Sequence, residues 1–113
     1  MQQVGKIMES QQKGNIILLS SIYGIVGNDQ RIYEESKLKK NQQSVKPITY
    51  STIKSGLLGM TKYTATYWAH KGVRCNALSP GGVFEGKNKK IETRLKKIIP
   101  LGRMANKSEY RSA

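Results

Sequence analysis

The chain has 113 residues, 37% of them hydrophobic, and its 20 Lys and Arg against 7 Asp and Glu give a formal net charge of +13 at pH 7. That is one small domain at most, with apolar residues enough for a thin core, and with neither the run of ~20 apolar residues that crosses a bilayer nor a signal-peptide pattern after Met1. The single cysteine, Cys75, excludes an internal disulfide framework and a zinc site built on several cysteines, which leaves a cytoplasmic type of chain.

In chain order, Val4, Ile7 and Met8 recur at helical spacing and predict the last turns of a helix over residues 1 to about 12. Lys13-Gly14-Asn15 closes it, with Gly14 suited to the left-handed position at a helix end. Ile16-Ile17-Leu18-Leu19 is a short continuous apolar run, as expected of a parallel strand buried on both faces, and Ser20-Ser21 ends it. Residues 22–27 read as a Gly-punctuated loop. Residues 28–49 are polar and charged, with Pro47 near their end, and predict a long loop or lid.

A helix is expected from Thr49, with small residues Ser51, Ser55, Gly56 and Gly59 along it and Leu57, Leu58, Ala65 and Trp68 as packing groups. Each glycine inside a helix costs about 1 kcal/mol relative to Ala, so the pair calls for a reason such as close packing. His70-Lys71-Gly72 supplies a cationic last turn and a stop. Val73 to Leu78 is the next strand, ended by Ser79-Pro80-Gly81-Gly82. A basic helix to about Ile99, a Pro100-Leu101-Gly102 turn and a helix beginning near Ser108 complete the chain.

Strand, crossover helix and strand make a βαβ unit, almost always right-handed and part of a parallel sheet. Two strands cannot make a covered parallel sheet, and both chain ends fall within predicted helices, the last of them stopping at Ser112-Ala113. The expectation is a piece of a larger α/β domain, cut at both ends.

The charge is densest from Lys87 to Lys97. Such a run tracks phosphates or forms a solvated helix face. Ile91, Leu95 and Ile98 at i, i+4, i+7 would turn inward from that face. Only Phe84 is an aromatic neighbour and Lys outnumbers Arg, which disfavours a nucleic-acid binder and favours the solvated face.

In open parallel sheets, ligands bind beyond the carboxyl ends of the strands. Those ends hold Ser20-Ser21 and Ser79 to Gly82, and the crossover helix opens with Tyr50-Ser51-Thr52-Ile53-Lys54. A Tyr and a Lys four apart share a helix face. Free Tyr titrates near 10, too high for a base at neutral pH, and a neighbouring ammonium stabilises the phenolate. Tyr50 is thus placed to exchange a proton with an alcohol or carbonyl oxygen that Ser21 holds by a hydrogen bond.

Tyr-x-x-x-Lys also occurs at Tyr33/Lys37 and Tyr67/Lys71. The last sits at the far end of the helix. Tyr33 is followed by Glu34-Glu35, which oppose a phenolate, and by a polar run without an apolar face. Tyr50/Lys54 is the favoured pair. His70 reads as a helix-terminal cation, Cys75 as a small core residue, and Trp68 and Tyr63 as packing or subunit-contact groups.

Three stretches together resemble the second half of a short-chain dehydrogenase/reductase: Gly14 to Gly24 with Ser20-Ser21, Tyr50 to Leu57, and Gly72 to Val83 with Pro80-Gly81-Gly82. The resemblance covers nearly the whole chain and implies an α/β fold, a partial Rossmann-like doubly wound parallel sheet, with residues 1–113 as an incomplete catalytic half. It implies hydride transfer between NAD or NADP and a small-molecule alcohol or carbonyl. Tyr50 resembles the acid/base, and Lys54 the residue that binds the nicotinamide ribose and tunes the Tyr. Ser21 resembles the substrate-orienting hydroxyl. Pro80, Gly81 and Val83 resemble the loop against the nicotinamide, and Pro100 to Met104 the segment before the penultimate helix. The resemblance also implies a homo-oligomer in the full-length form, packed through the small-residue helix.

The family's Gly-rich pyrophosphate turn and its Asn-Ala-Gly segment have no counterpart in the sequence. This chain by itself is therefore expected to be inactive. The stretch between Ser21 and Tyr50 is longer than is common, and resembles members that act on surface-glycan or flagellin sugars, which suggests a sugar-derived substrate.

Overall fold

The computed structural model describes residues 1–86 and 88–111; Lys87, at the head of the basic run, and Ser112 and Ala113, in the expected final helix, lie outside the described residues. Strands β1 (Gly14–Leu19) and β2 (Val73–Leu78) pair in parallel, in register from Gly14 opposite Val73 to Leu19 opposite Leu78. Helix α2 (Ile48–Tyr67) makes the crossover, so the expected βαβ unit is present. Helix α1 (Gln2–Ser10) precedes β1 and α3 (Lys89–Ile98) follows β2. Short 3₁₀ turns lie at Ile22–Gly24, Gln30–Tyr33, Lys40–Gln42 and Ala69–Lys71.

The core is small. Ile16, Trp68, Val73 and Cys75 are buried together, with Met8, Leu18 and Ala65 packed against them. The expected core roles of Trp68 and Cys75 hold. Trp68 also sets the position of α1: its indole Nε1 donates to Glu9 Oε2 at 3.2 Å, and a Cβ on Gly5 would overlap its ring. This corrects the inner face expected of α1. Gly5 is buried there, while Val4 and Ile7 are exposed, because a bulky indole leaves room only for glycine.

A second correction concerns β1. Helices α1 and α2 cover the same face of the sheet, the one to which Ile16 points. Ile17 and Leu19 point the other way and are 54% and 58% exposed. The strand therefore alternates instead of being buried on both faces. A third concerns the end of α1, where Gln12, not Gly14, takes the left-handed conformation (φ 51°). Gly14 instead opens β1, where a Cβ would run into Met8. Gly72 (φ 70°) is the stop expected after α2.

Residues 28–46 carry an order that their polarity concealed. Ile32 is 3% exposed, an apolar anchor in a stretch that reads as polar and charged. Gln30 is bonded to both the amide and the carbonyl of Lys46, and Asn28 Nδ2 donates to Ser51 Oγ at 2.8 Å. Gln43 ties the carbonyls of Glu35 and Leu38. Arg94 of α3 completes the fastening, Nη1 donating to the carbonyls of Arg31, Ile32 and Glu34 at 3.0, 2.9 and 2.6 Å.

Helix α3 begins at an Asn88 cap, whose Oδ1 accepts from the Ile91 amide at 3.1 Å. Ile91 and Leu95 are half-buried as expected, but Ile98 is 54% exposed, at the rim of a cleft shared with Ile32. Beyond it, Val83 bridges Ala105 in parallel. Residues 107–111 form a turn where a helix start was expected. A two-pronged ion pair from Arg103 to Glu109 (2.8 and 2.9 Å) closes this segment, and Glu109 also accepts from the Asn106 amide.

Two outcomes follow from this packing. Gly5→Ala should lower stability by about 1–3 kcal/mol through overpacking and Trp68→Ala by about 3–5 kcal/mol through loss of the core, read from urea denaturation midpoints. The hydrogen bond from Arg103 holds the Glu109 carboxyl down to about 2. Because the folded value is depressed, the contribution of this clasp is complete above the ordinary carboxylate range and fades as pH falls toward 2. NMR titration of the Glu109 side chain measures it, and a midpoint in the ordinary range would show the clasp open in solution.

Candidate functional site

The site is assembled where β1 and β2 end. Ser20 is buried, and its Oγ donates to the Lys54 carbonyl of α2 at 2.7 Å. Lys54 returns the contact, its Nζ donating to the Leu19 carbonyl at 2.9 Å. Gly24 lies in the same seam: a Cβ there would come within 2.7 Å of both the Lys54 carbonyl oxygen and Ser20 Oγ, so only glycine permits the approach. Ser55 Oγ bonds the Gly24 carbonyl at 3.0 Å.

Ser21 is buried, with Oγ accepting from the Tyr23 amide at 3.2 Å. A hydroxyl that accepts in this way keeps its own proton to donate. The two strand-end loops touch through the Ile22 amide and the Pro80 carbonyl at 2.9 Å. Serine 21 and the Pro80–Val83 loop are thereby brought to one end of the sheet.

Tyr50 lies in the first turn of α2 and Lys54 one turn on, with Nζ 5.7 Å from the centre of the Tyr50 ring. A second ammonium, Lys46 Nζ, stands 4.2 Å from that centre. Two cations thus attend one phenol ring. Lys46 precedes the helix, so helical spacing gives no signal for it. It reaches Tyr50 through the extended backbone at Pro47 and the Gln30 brace, which spacing does not encode.

The rival tyrosines are placed differently. Tyr67 stacks on Tyr63 (5.6 Å between centres) and meets Trp68 edge-on, while Lys71 pairs with Glu9. That group lies at the opposite end of α2 from Tyr50. Tyr33 is nearer the site: its hydroxyl is 3.5 Å from that of Tyr23. Burial first, then the Tyr23 hydrogen bond and the charges of Tyr23 and Tyr50, push its titration well above the ordinary value, so it holds its proton.

The loop after β2 leaves open space at Gly81, where a Cβ would meet no atom within 4 Å. The bridge to Ala105 uses the Gly82 carbonyl and the Phe84 amide, so the Val83 amide faces the other way. A cleft of about 480 Å³ runs between this loop, Ile22 and the segment at Pro100 and Leu101.

Residues 38–113 match the family described as Enoyl-(Acyl carrier protein) reductase. The chain is 36% identical over 109 residues to the human 3-oxoacyl-(acyl-carrier-protein) reductase, covering 96% of this chain and 39% of that protein. It is 32% identical over 106 residues to the enzyme of the same name from Aquifex aeolicus, covering 90% and 36%. The crystal structure of a short-chain dehydrogenase from Leptospira borgpetersenii with bound NAD+ matches with a TM-score of 0.79 at 34% identity, over 93% of this chain and 37% of that one. The chain spans a little over a third of the length of these relatives.

Gly24→Ala should force the β1 end and α2 apart, costing about 1–3 kcal/mol. Amide NMR shifts at Leu19 and Lys54, with a urea melt, read both effects, and an unmoved Lys54 would show that the seam tolerates a side chain.

Proposed function

The chain belongs to the short-chain dehydrogenase/reductase family, and on that footing we propose that it supplies the acid–base half of an NAD(P)-dependent oxidoreductase acting on an alcohol or carbonyl compound. The observation that carries the reading is the placement of Tyr50 and Lys54 at the head of α2, with Lys54 fixed on the Leu19 carbonyl at the strand end that Ser20 and Ser21 follow.

Tyr50 is the acid/base. Its phenol gives a proton to the substrate oxygen in reduction and takes one in oxidation. Lys54 and Lys46 hold the phenolate's charge, and Ser21 donates to the same substrate oxygen and fixes its direction. The residues present fit the cofactor: Lys54 offers N–H donors for ribose hydroxyls, Gly81 leaves its approach open, and the Val83 amide faces away from its own bridge. When bound, NAD or NADP supplies the hydride donor or acceptor. Tyr50, Lys54, Pro80, Gly81 and Val83 would hold it.

The small-molecule substrate is a polar ketone or alcohol. The relatives named for 3-oxoacyl reduction support a 3-oxo compound, and a sugar-derived ketone meets the same description. Residues 28–49 serve as the lid of the site, strapped by Gln30 and Arg94. Helix α2 packs against its copy in a second subunit. Gly56 and Gly59 have no atom within 4 Å of a would-be Cβ, and Ile53, Met60 and Tyr63 are exposed along the same helix, so the small-residue stripe finds no partner within the described residues. A cytoplasmic location is consistent with the one cysteine, which is free and buried. No helix among the described residues is long and apolar enough to cross a membrane.

Turnover of NADH and NADPH with acetoacetyl-CoA, by a longer protein in which a Gly-rich dinucleotide-binding half precedes residues 1–113 and by its variants, tests the reading. Tyr50→Phe should lower kcat by about 10²–10⁴-fold, the usual worth of a positioned acid, and Lys54→Ala should also depress it. Full turnover in Tyr50→Phe with loss in Tyr33→Phe would overturn the assignment. Micromolar affinity of the 113-residue chain for either dinucleotide in a calorimetric titration would overturn the expectation that it neither binds dinucleotide well nor catalyses by itself.

A further inference from the structure

Tyr33 belongs to the rejected Tyr/Lys pair, yet the fold spends several interactions on it. Ile32, its neighbour, is buried as an anchor. Arg94 donates to the carbonyls of Arg31, Ile32 and Glu34, on both sides of Tyr33, from a helix that follows the Pro80–Val83 loop. Gln30, in the same 3₁₀ turn, is bonded to the backbone of Lys46, whose ammonium lies over the Tyr50 ring. These contacts hold the turn that carries Tyr33 beside the first turn of α2.

The hydroxyl of Tyr33 is poorly used for a half-buried group. Its partner is Tyr23 Oη at 3.5 Å, at the outer limit of a hydrogen bond. Tyr23 in turn donates its amide to Ser21 Oγ. A long bond of this kind is readily exchanged for a shorter one to a ligand oxygen. Resting on the oxidoreductase reading, we infer that Tyr33 is a substrate-binding donor, positioned by Arg94, that recognises a second oxygen close to the reacting carbon of a ketone or alcohol.

The chemistry separates the two phenols. Tyr50 has two ammoniums at its ring and, on the oxidoreductase reading, is the group that exchanges a proton with the substrate. Tyr33 retains its proton through burial and through the neighbouring Tyr23 and Tyr50, and so remains a donor while Tyr50 changes state. Glu34 and Glu35, which would oppose a phenolate, here follow a group that stays neutral. Compounds with an oxygen at that second position, such as 3-oxo esters and hydroxyketones, gain a contact that simple ketones lack.

The test uses methyl acetoacetate, which has the second oxygen, and butanone, which lacks it, titrated into the 113-residue chain with NMR observation of labelled tyrosine rings. Methyl acetoacetate should shift the Tyr33 and Tyr50 signals together and saturably. Tyr33→Phe should weaken its binding about tenfold, the worth of one hydrogen bond, without weakening butanone to the same degree. Arg94→Ala should reproduce that selective loss and bring the Tyr33 titration down toward the ordinary value near 10, with Arg94→Lys restoring part of both. No saturable shift at Tyr33, equal losses for the two ketones, or a Tyr33 titration indifferent to Arg94→Ala would each overturn the inference. Turnover that depends on Tyr50 alongside binding indifferent to Tyr33 removes this inference alone. Turnover indifferent to Tyr50 removes the oxidoreductase reading instead.

Discussion

Two hydrogen bonds run in opposite directions between the end of β1 and α2, from Ser20 Oγ to the Lys54 carbonyl and from Lys54 Nζ to the Leu19 carbonyl. They require the helix and the strand end to approach more closely than side chains usually allow, and Gly24 makes that possible by presenting none. The rest of the site depends on this seam. It fixes the turn of α2 that carries Tyr50, and the 3₁₀ turn from Ile22 to Gly24 that Ser21 caps by accepting from the Tyr23 amide. The Ile22 amide then reaches Pro80, so the loop after β2 is registered against the same point.

The excess of positive charge has a more particular meaning than its total suggests. Arg94 and Arg103 are both engaged in bonds that fix chain segments, one holding carbonyls of the long loop and the other closing on Glu109. Lys46 and Lys54 stand at the Tyr50 ring. Lys96 pairs with Glu92 along α3, whose basic face is solvated. These five charges are divided among chain fasteners, a candidate acid–base site and a helix surface.

The apolar surface left exposed has an equally specific origin. A two-stranded parallel sheet covered on one face presents its other face, here Ile17 and Leu19, to solvent. Helix α2 leaves Ile53, Met60 and Tyr63 outward beside two glycines with nothing against them. In family members nearly three times as long, further elements accompany these, as the coverage of the relatives implies.

The βαβ order and both strands were legible in the sequence, because the apolar run Ile16 to Leu19 and the stretch Val73 to Leu78 are each bounded by turn residues, Gly14 and Ser20-Ser21 for one and Gly72 and Ser79-Pro80-Gly81 for the other. The choice of Tyr50 over its rivals came from its position at the head of the crossover helix, and the structure puts Tyr50, Lys54 and Ser21 at one end of the sheet. Contacts made between residues far apart in the chain were not legible. Nothing in local pattern reveals that Trp68 would claim the space beside Gly5, that Arg94 would hold the backbone around Tyr33, or that Lys46 would return over Tyr50. Periodicity reports which residues share a face of one element. Only the tertiary structure decides which face another element covers, since that depends on side-chain volume and on hydrogen bonds across dozens of residues.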